Sequence, residues 1–249
     1  MPEFFWLLVP VLFIISLVYT SVGLGGGSSY IAVFYLFGLP LGEIPPLALF
    51  LNIIAASTAL YRFGRKGYVA SGFVIPLLVS SVPAAYFGAR YRLDEKLLSL
   101  IFAVVLLSVA FVLFFRKKEV KTRFSLGKKG SWIILLFLGA LLGSLAGIMG
   151  IGGGILLGPI LLLLGLSSAR YVAGICSAFV LVNSIIGLTS HYLQGRVEFS
   201  VFIILGLAVF VGAQVGSLLG TRKFSSLLLQ RILASLLLIV SLKLGIGAL

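Results

Sequence analysis

Two glycine runs hold most of the binding chemistry available to this 249-residue chain. Gly23-Leu24-Gly25-Gly26-Gly27-Ser28-Ser29 is matched 127 residues later by Gly150-Ile151-Gly152-Gly153-Gly154-Ile155-Leu156. Lacking a Cβ, Gly25, Gly26 and Gly27, like Gly152, Gly153 and Gly154, can take positive φ and let a ligand reach the main chain. A helix that begins after such a run opens with free N–H groups and a positive dipole end, and these attract anions without a formal charge. In the first copy Ser28 and Ser29 add hydroxyls at the first turn, where the second copy has Ile155 and Leu156. Two amides, Asn52 and Asn183, stand 131 residues apart in apolar surroundings. An amide there costs free energy unless it is paired, so both are expected to face the protein interior and to line the same site. The plainer alternative gives the glycines to close helix packing and each Asn to an interhelical hydrogen bond worth about 0.6 kcal/mol.

What is missing narrows the chemistry further. No Lys, Arg, Asp or Glu falls in the middle of an apolar segment, whereas cation transporters and proton pumps usually keep carboxylates there. An anion can be held by helix N-termini, hydroxyls and amides alone. One cysteine, Cys176, and one histidine, His191, exclude an intramolecular disulfide and a Cys/His metal cluster. No nucleophile–base pair or cofactor motif is present, so an enzyme is disfavoured and neither cofactor nor metal is expected.

The elements that must position these residues are apolar segments. The chain is 61% hydrophobic and 10% charged, with a mean hydropathy of +1.24. The segments run approximately over 4–22, 28–38, 44–61, 68–89 and 97–115, then 131–149, 155–166, 171–192, 199–219 and 226–246. The longer ones match a bilayer core of about 30 Å at 1.5 Å per residue. An all-α polytopic membrane protein is expected, because a β-barrel would need short alternating strands. The formal charge of +13 sits at segment ends and in one loop, a topology signal with no nucleic-acid-binding motif around it. Arg62, Arg90, Arg196 and His191, near segment ends, are read as snorkelling side chains.

The expected organisation is a first transmembrane repeat over 1–115, a basic cytoplasmic linker over 116–130 and a second repeat over 131–249. Gly38 and Gly165 repeat at the same offset of 127, the Gly64-Arg65 and Gly195-Arg196 pairs at 131, and Gly88 and Gly216 at 128. The segment after each glycine run is too short to span a bilayer, so it either continues a broken crossing or turns back as a hairpin. Hairpins leave 14 Lys/Arg on the linker side and 5 opposite, against 12 and 7 for single crossings. The positive-inside rule therefore favours hairpins. Each repeat is then a glycine-broken hairpin plus three transmembrane helices, inverted relative to its mate. Both termini are extracytoplasmic in a multi-pass plasma-membrane protein whose N-terminal segment is retained. Inverted repeats with paired interruptions are a secondary-transporter pattern.

With these residues the chain resembles the TauE/SafE (sulfite exporter, toluene-sulfonate uptake) family of permeases. The resemblance rests on the two Gly-x-Gly-Gly-Gly stretches at Gly23 to Gly27 and Gly150 to Gly154, each followed by an apolar run ending in Gly38 or Gly165. It rests also on Asn52 and Asn183 ahead of the Gly-Arg turns. It implies a transporter of small sulfur-containing anions such as sulfite, sulfonates and sulfoacetate, in either direction. The family commonly has a proline after the glycines. Pro159 fits, but the first copy has Ala32 at the matching offset, then Val33 and Phe34. The implied partners are a small anionic substrate and the lipid bilayer; a coupling ion (H+ or Na+), oligomeric state and direction stay open. An anion channel and a non-transporting membrane scaffold are the alternatives.

Overall fold

The structure, a computed structural model, describes residues 5–39, 43–88, 103–104, 107–108, 110–111, 114–115, 128–149, 152–165, 168–193 and 202–248. Nine helices are delimited among the described residues: α1 (Phe5–Ser21), α2 (Gly27–Leu36), α3 (Ile44–Arg65), α4 (Ser71–Gly88), α5 (Lys128–Met149), α6 (Gly154–Leu163), α7 (Ala169–Leu193), α8 (Phe202–Arg222) and α9 (Ser226–Ala248). The described residues between 103 and 115 are helical too. Helix α5 begins three residues inside the expected linker, whose residues 116–127 lie outside the described set, as do Arg90, Arg92, Lys96, Gly150, Gly195 and Arg196.

Side chains are distributed as lipid demands. Large apolar residues point outward, among them Ile133 and Phe137 on α5 and Ile203 and Leu207 on α8, while Ser16, Thr20, Asn52, Ser81, Asn183 and Ser217 are buried. Most of the buried hydroxyls are satisfied without leaving their helix: Thr20 donates to the Ser16 carbonyl (2.7 Å) and Ser217 to that of Ala213 (2.6 Å). Four helices, Ile44–Arg65, Ser71–Gly88, Ala169–Leu193 and Ile203–Arg222, are long and apolar enough to cross a membrane. The described residues hold no strand, and the architecture they show is all-helical.

Small residues set how the long helices meet. Gly212, Gly216 and Gly220 of α8 lie against the backbone of Phe13, Leu17 and Ser21 of α1 so closely that a Cβ at any of them would strike a carbonyl oxygen. On the other side Gly139 and Gly143 of α5 lie against Leu77 and Ser81 of α4. Such stripes let backbones approach where lipid removes the hydrophobic drive to associate. The paired residues ascend in step, so α1 and α8 run in one direction together, and so do α4 and α5. Helix α8 also keeps step with α3, through Ile54 against Gly206 and Arg62 hydrogen-bonded to Gln214. Arg62 is therefore engaged with a neighbouring helix rather than simply snorkelling. Helix α7 keeps step with α4 (Arg170 to Tyr68, Asn183 to Ser81) and runs counter to α3. Thus α1, α3 and α8 point one way and α4, α5 and α7 the other. Since α1 and α3 agree in direction, the short α2 between them must carry the chain back.

Candidate functional site

The first glycine run begins as a helix terminator. Gly23, at φ 76°, takes the left-handed position after α1. The amides of Gly23 and Leu24 return to the carbonyls of Thr20 (3.1 Å) and Tyr19 (2.9 Å), a Schellman ending. Three residues on, Gly26 (φ 97°) is the N-cap of α2, and its carbonyl receives the N–H groups of Ser29 and Tyr30 (both 3.0 Å). The second run ends the same way: Gly153 (φ 69°) is the N-cap of α6, with Leu156 and Leu157 returning to its carbonyl. Both short helices have 10 residues, and both are followed by a left-handed glycine, Gly38 (φ 71°) and Gly165 (φ 63°). At each start two N–H groups, those of Gly27 and Ser28 and of Gly154 and Ile155, have no backbone carbonyl partner among the described residues.

The two breaks meet at the middle of the bundle. Asn52, near the centre of α3, fills the space that Cβ atoms on Gly25 and Gly27 would occupy. It also faces the second run: a Cβ on Gly152 would stand 3.1 Å from Asn52 Nδ2 and 2.9 Å from Ser184 Oγ. Val180, near the centre of α7, touches the positions of Gly25, Gly152 and Gly154 alike. Between them lies a void of about 10 Å³, walled by Tyr19, Gly25, Gly27, Ser28, Gly154 and Val180 among others. That is room for roughly one water.

The polar atoms here are unusual for a packed interior. Asn52 is fully buried, yet among the described residues neither its Oδ1 nor its Nδ2 has a hydrogen-bond partner, and the equally buried Ser184 Oγ has none. Each such group costs about 1–3 kcal/mol if nothing ever meets it. Asn183 is placed differently. Its Nδ2 donates to Ser81 Oγ (3.2 Å) and to the Phe179 carbonyl (2.8 Å), and only its Oδ1 is unpartnered. The glycines, Ser28 and Asn52 are thus brought to one place, while Asn183 is spent on holding α7 to α4. Ser29 is half-buried, at the edge, where its Oγ lies 2.7 Å from the Tyr19 hydroxyl, with Ser28 Oγ at 3.4 Å from the same oxygen.

Three residues at the breaks escape sequence reasoning. Ser184 follows Asn183 and occupies the neighbouring helix face; the repeat match drew attention to the amide beside it. Tyr19 reads as one more apolar position at a segment end. Lys243 reads as an extracytoplasmic end residue, but its Nζ donates to the Ser28 carbonyl (2.9 Å) in the first turn of α2. Donors dominate this site: free main-chain N–H groups, an amide, hydroxyls and an ammonium, with no carboxylate among the described residues that wall it. No group of three or more His, Cys, Asp or Glu that could hold a metal exists among the described residues.

Comparison with known proteins agrees with a transport role. The chain is 29% identical over 234 residues to the "Probable membrane transporter protein y4hK" of Sinorhizobium fredii (strain NBRC 101917 / NGR234), covering 93% of this chain and 94% of that protein. No solved structure matches significantly. A family model described as "Sulfite exporter TauE/SafE" matches residues 8–244. With nearly its whole length so matched, the chain belongs to the TauE/SafE family of membrane transporters.

Proposed function

We propose that the protein is a plasma-membrane secondary transporter for a small anion, sulfite or an organosulfonate, held between the two glycine breaks near the membrane midplane. The observation that carries this reading is the unpartnered Asn52 amide, fully buried against Gly25, Gly27 and Gly152. A group so expensive to bury needs a part-time partner, and the surrounding donors fit an oxyanion. The binding set is Gly25, Gly26, Gly27, Ser28, Ser29, Asn52, Gly152, Gly153 and Gly154, with Ser184 added. Asn183 acts as a support for α7.

The two halves are inverted repeats that rock about this site in alternating access. Helix directions support the inversion: α1 and α3 oppose their counterparts α5 and α7, and α4 opposes its counterpart α8. So do the interfaces, since Gly88 meets Ser144 as Gly216 meets Leu17. The void, with room for roughly one water, is too small for the proposed anion and must widen to admit it.

The test is the melting of the purified protein against sulfite, sulfate, sulfoacetate, taurine, acetate and chloride, with counterflow in proteoliposomes. A substrate at about 100 times its dissociation constant stabilises by roughly 2.7 kcal/mol. Selective stabilisation by one sulfur oxyanion, with saturable counterflow of the same anion, is expected. Flux that never saturates identifies a channel, and absence of any response removes the anion site.

A further inference from the structure

We propose that Lys243 is the charge-selecting residue of the anion site: its ammonium, delivered by the last helix of the second half to the break of the first, supplies the formal positive charge. The inference rests on the anion reading above and deepens it. A lysine about a turn and a half from a helix end ordinarily extends its ammonium to the membrane surface. Here the half-buried side chain turns inward instead, and Nζ donates to the carbonyl of Ser28, a residue that walls the central void. An ammonium has three donors and Ser28 takes one of them. Ser28 itself belongs to the first turn of α2, where its hydroxyl and that of Ser29 gather at Tyr19 and the N–H groups of Gly27 and Ser28 have no backbone carbonyl partner among the described residues. The Asn52 amide, without a partner among the described residues, lies against Gly27 at the start of the same helix.

Two other part-buried cations have partners of their own. Arg62 donates to Gln214 Oε1, and Arg170 to the Tyr68 hydroxyl and the Phe224 carbonyl. The helix N-termini contribute only about half a charge each, and they attract any electronegative group. A full charge on one side of the site separates an anion from a neutral or zwitterionic molecule of the same shape. It also makes the site lopsided: the second break offers Ile155 and Leu156 where the first offers Ser28, Ser29 and Lys243. The anionic group is therefore oriented toward α2 and the rest of the molecule toward Val180 and Ile155.

The experiment compares the purified wild type with K243Q and K243R by thermal melting against sulfoacetate and taurine. In the wild type it adds acetylation of Lys243 by an N-hydroxysuccinimide ester, read by peptide mass spectrometry. Sulfoacetate should stabilise the wild type. K243Q should bind it roughly ten- to a hundred-fold more weakly, the factor carried by a charge-assisted hydrogen bond, while K243R keeps most of the affinity. Sulfoacetate should also slow acetylation of Lys243 and leave that of the exposed Lys66 unchanged. If the wild type responds to sulfoacetate but K243Q binds it equally well, Lys243 is a structural contact and the anion reading stands without it. If K243Q does not purify as a folded protein, acetylation decides: an unprotected Lys243 in anion-stabilised wild type overturns the proposal. If the wild type binds none of the sulfur anions, both fall together.

Discussion

Truncating Asn52 and Asn183 to alanine, one at a time, separates a ligand-binding amide from a structural one, because the two substitutions remove the same atoms from equally buried sites on repeat-related helices. The cavity cost is common to both and cancels in the comparison. For Asn183→Ala the loss includes two hydrogen bonds from Nδ2, to Ser81 Oγ and the Phe179 carbonyl, each worth about 0.6 kcal/mol between or along membrane helices. For Asn52→Ala no hydrogen bond is lost, since neither polar atom has a partner among the described residues. The truncation instead relieves a buried unsatisfied N–H₂, worth about 1–3 kcal/mol. Oδ1 is unpartnered in both residues and also cancels. The anion-free Asn52→Ala protein should therefore be more stable than Asn183→Ala by on the order of 2 to 4 kcal/mol.

The assay is the melting of both variants and the wild type in the same detergent, with and without a stabilising sulfur anion. Without anion, Asn52→Ala should melt close to the wild type, while Asn183→Ala melts several degrees lower. With anion, the wild type should gain stability, Asn183→Ala should gain a similar amount from its lower baseline, and Asn52→Ala should gain little. If Asn52→Ala is destabilised as much as Asn183→Ala in the absence of anion, Asn52 has structural partners in the working protein. The case for a ligand at the breaks would then have lost its main support.

Other perturbations follow from the same geometry. Gly26→Ala and Gly153→Ala force a Cβ onto left-handed N-caps, against the Tyr30 ring (2.9 Å) and Ala146 Cβ (2.8 Å) respectively; each should cost about 1–2 kcal/mol from the backbone alone, read as a lowered melting temperature. Gly216→Val should prevent α1 from seating on α8, because its Cβ falls on the Leu17 carbonyl, and size-exclusion chromatography should show loss of the folded peak. Gly72→Ala, in the first turn of α4 with open space around it, should do the opposite and stabilise by up to about 1 kcal/mol. Cys176 is buried against Gly158, so maleimide should label it only after denaturation.

Much of the fold was legible because lipid imposes two strong rules, length and apolarity, and because the chain states its plan twice. Segments expected over 28–38 and 155–166 form helices at Gly27–Leu36 and Gly154–Leu163. The offset of 127 recurs in the N-caps, in the helix ends and in the left-handed glycines after them. Even the weaker match of Gly88 to Gly216 corresponds to a shared contact, on Ser144 and Leu17, themselves 127 apart. Which residues converge at the breaks was less legible, for a physical reason. Helical periodicity says which residues share a face but not which neighbour that face meets. Asn52 and Asn183 look alike in sequence, and only the packing of α4 beside α7 gives Ser81 to one of them. The contact of Lys243 was not legible for a related reason: a charge near a helix end has two directions open to it, and a carbonyl in another helix decides between them.

The difference between the two breaks bears on how a duplicated scaffold becomes directional. If both presented the same donors, an anion would be held equally by either half, and rocking would exchange two equivalent environments. The backbone keeps that symmetry: left-handed caps, 10-residue helices and glycine ends agree in both halves. The side chains do not. Hydroxyls gather at the start of α2, and an ammonium from α9 joins them, while the start of α6 is buried in Ile155, Leu156 and Leu157. If the protein binds an anion as proposed, dipole ends and free N–H groups, being fixed by the backbone, would provide the preference that both halves share. Orientation and choice among anions must come from what differs, and those residues lie almost wholly around the first break. Exchanging Ser28 and Ser29 for Ile and Leu should accordingly change which anion is bound and how tightly, whereas placing serines at Ile155 and Leu156 should leave the wild-type preference in place. Equal effects from the two exchanges, measured by melting against the same set of anions, would mean that the halves share substrate recognition after all.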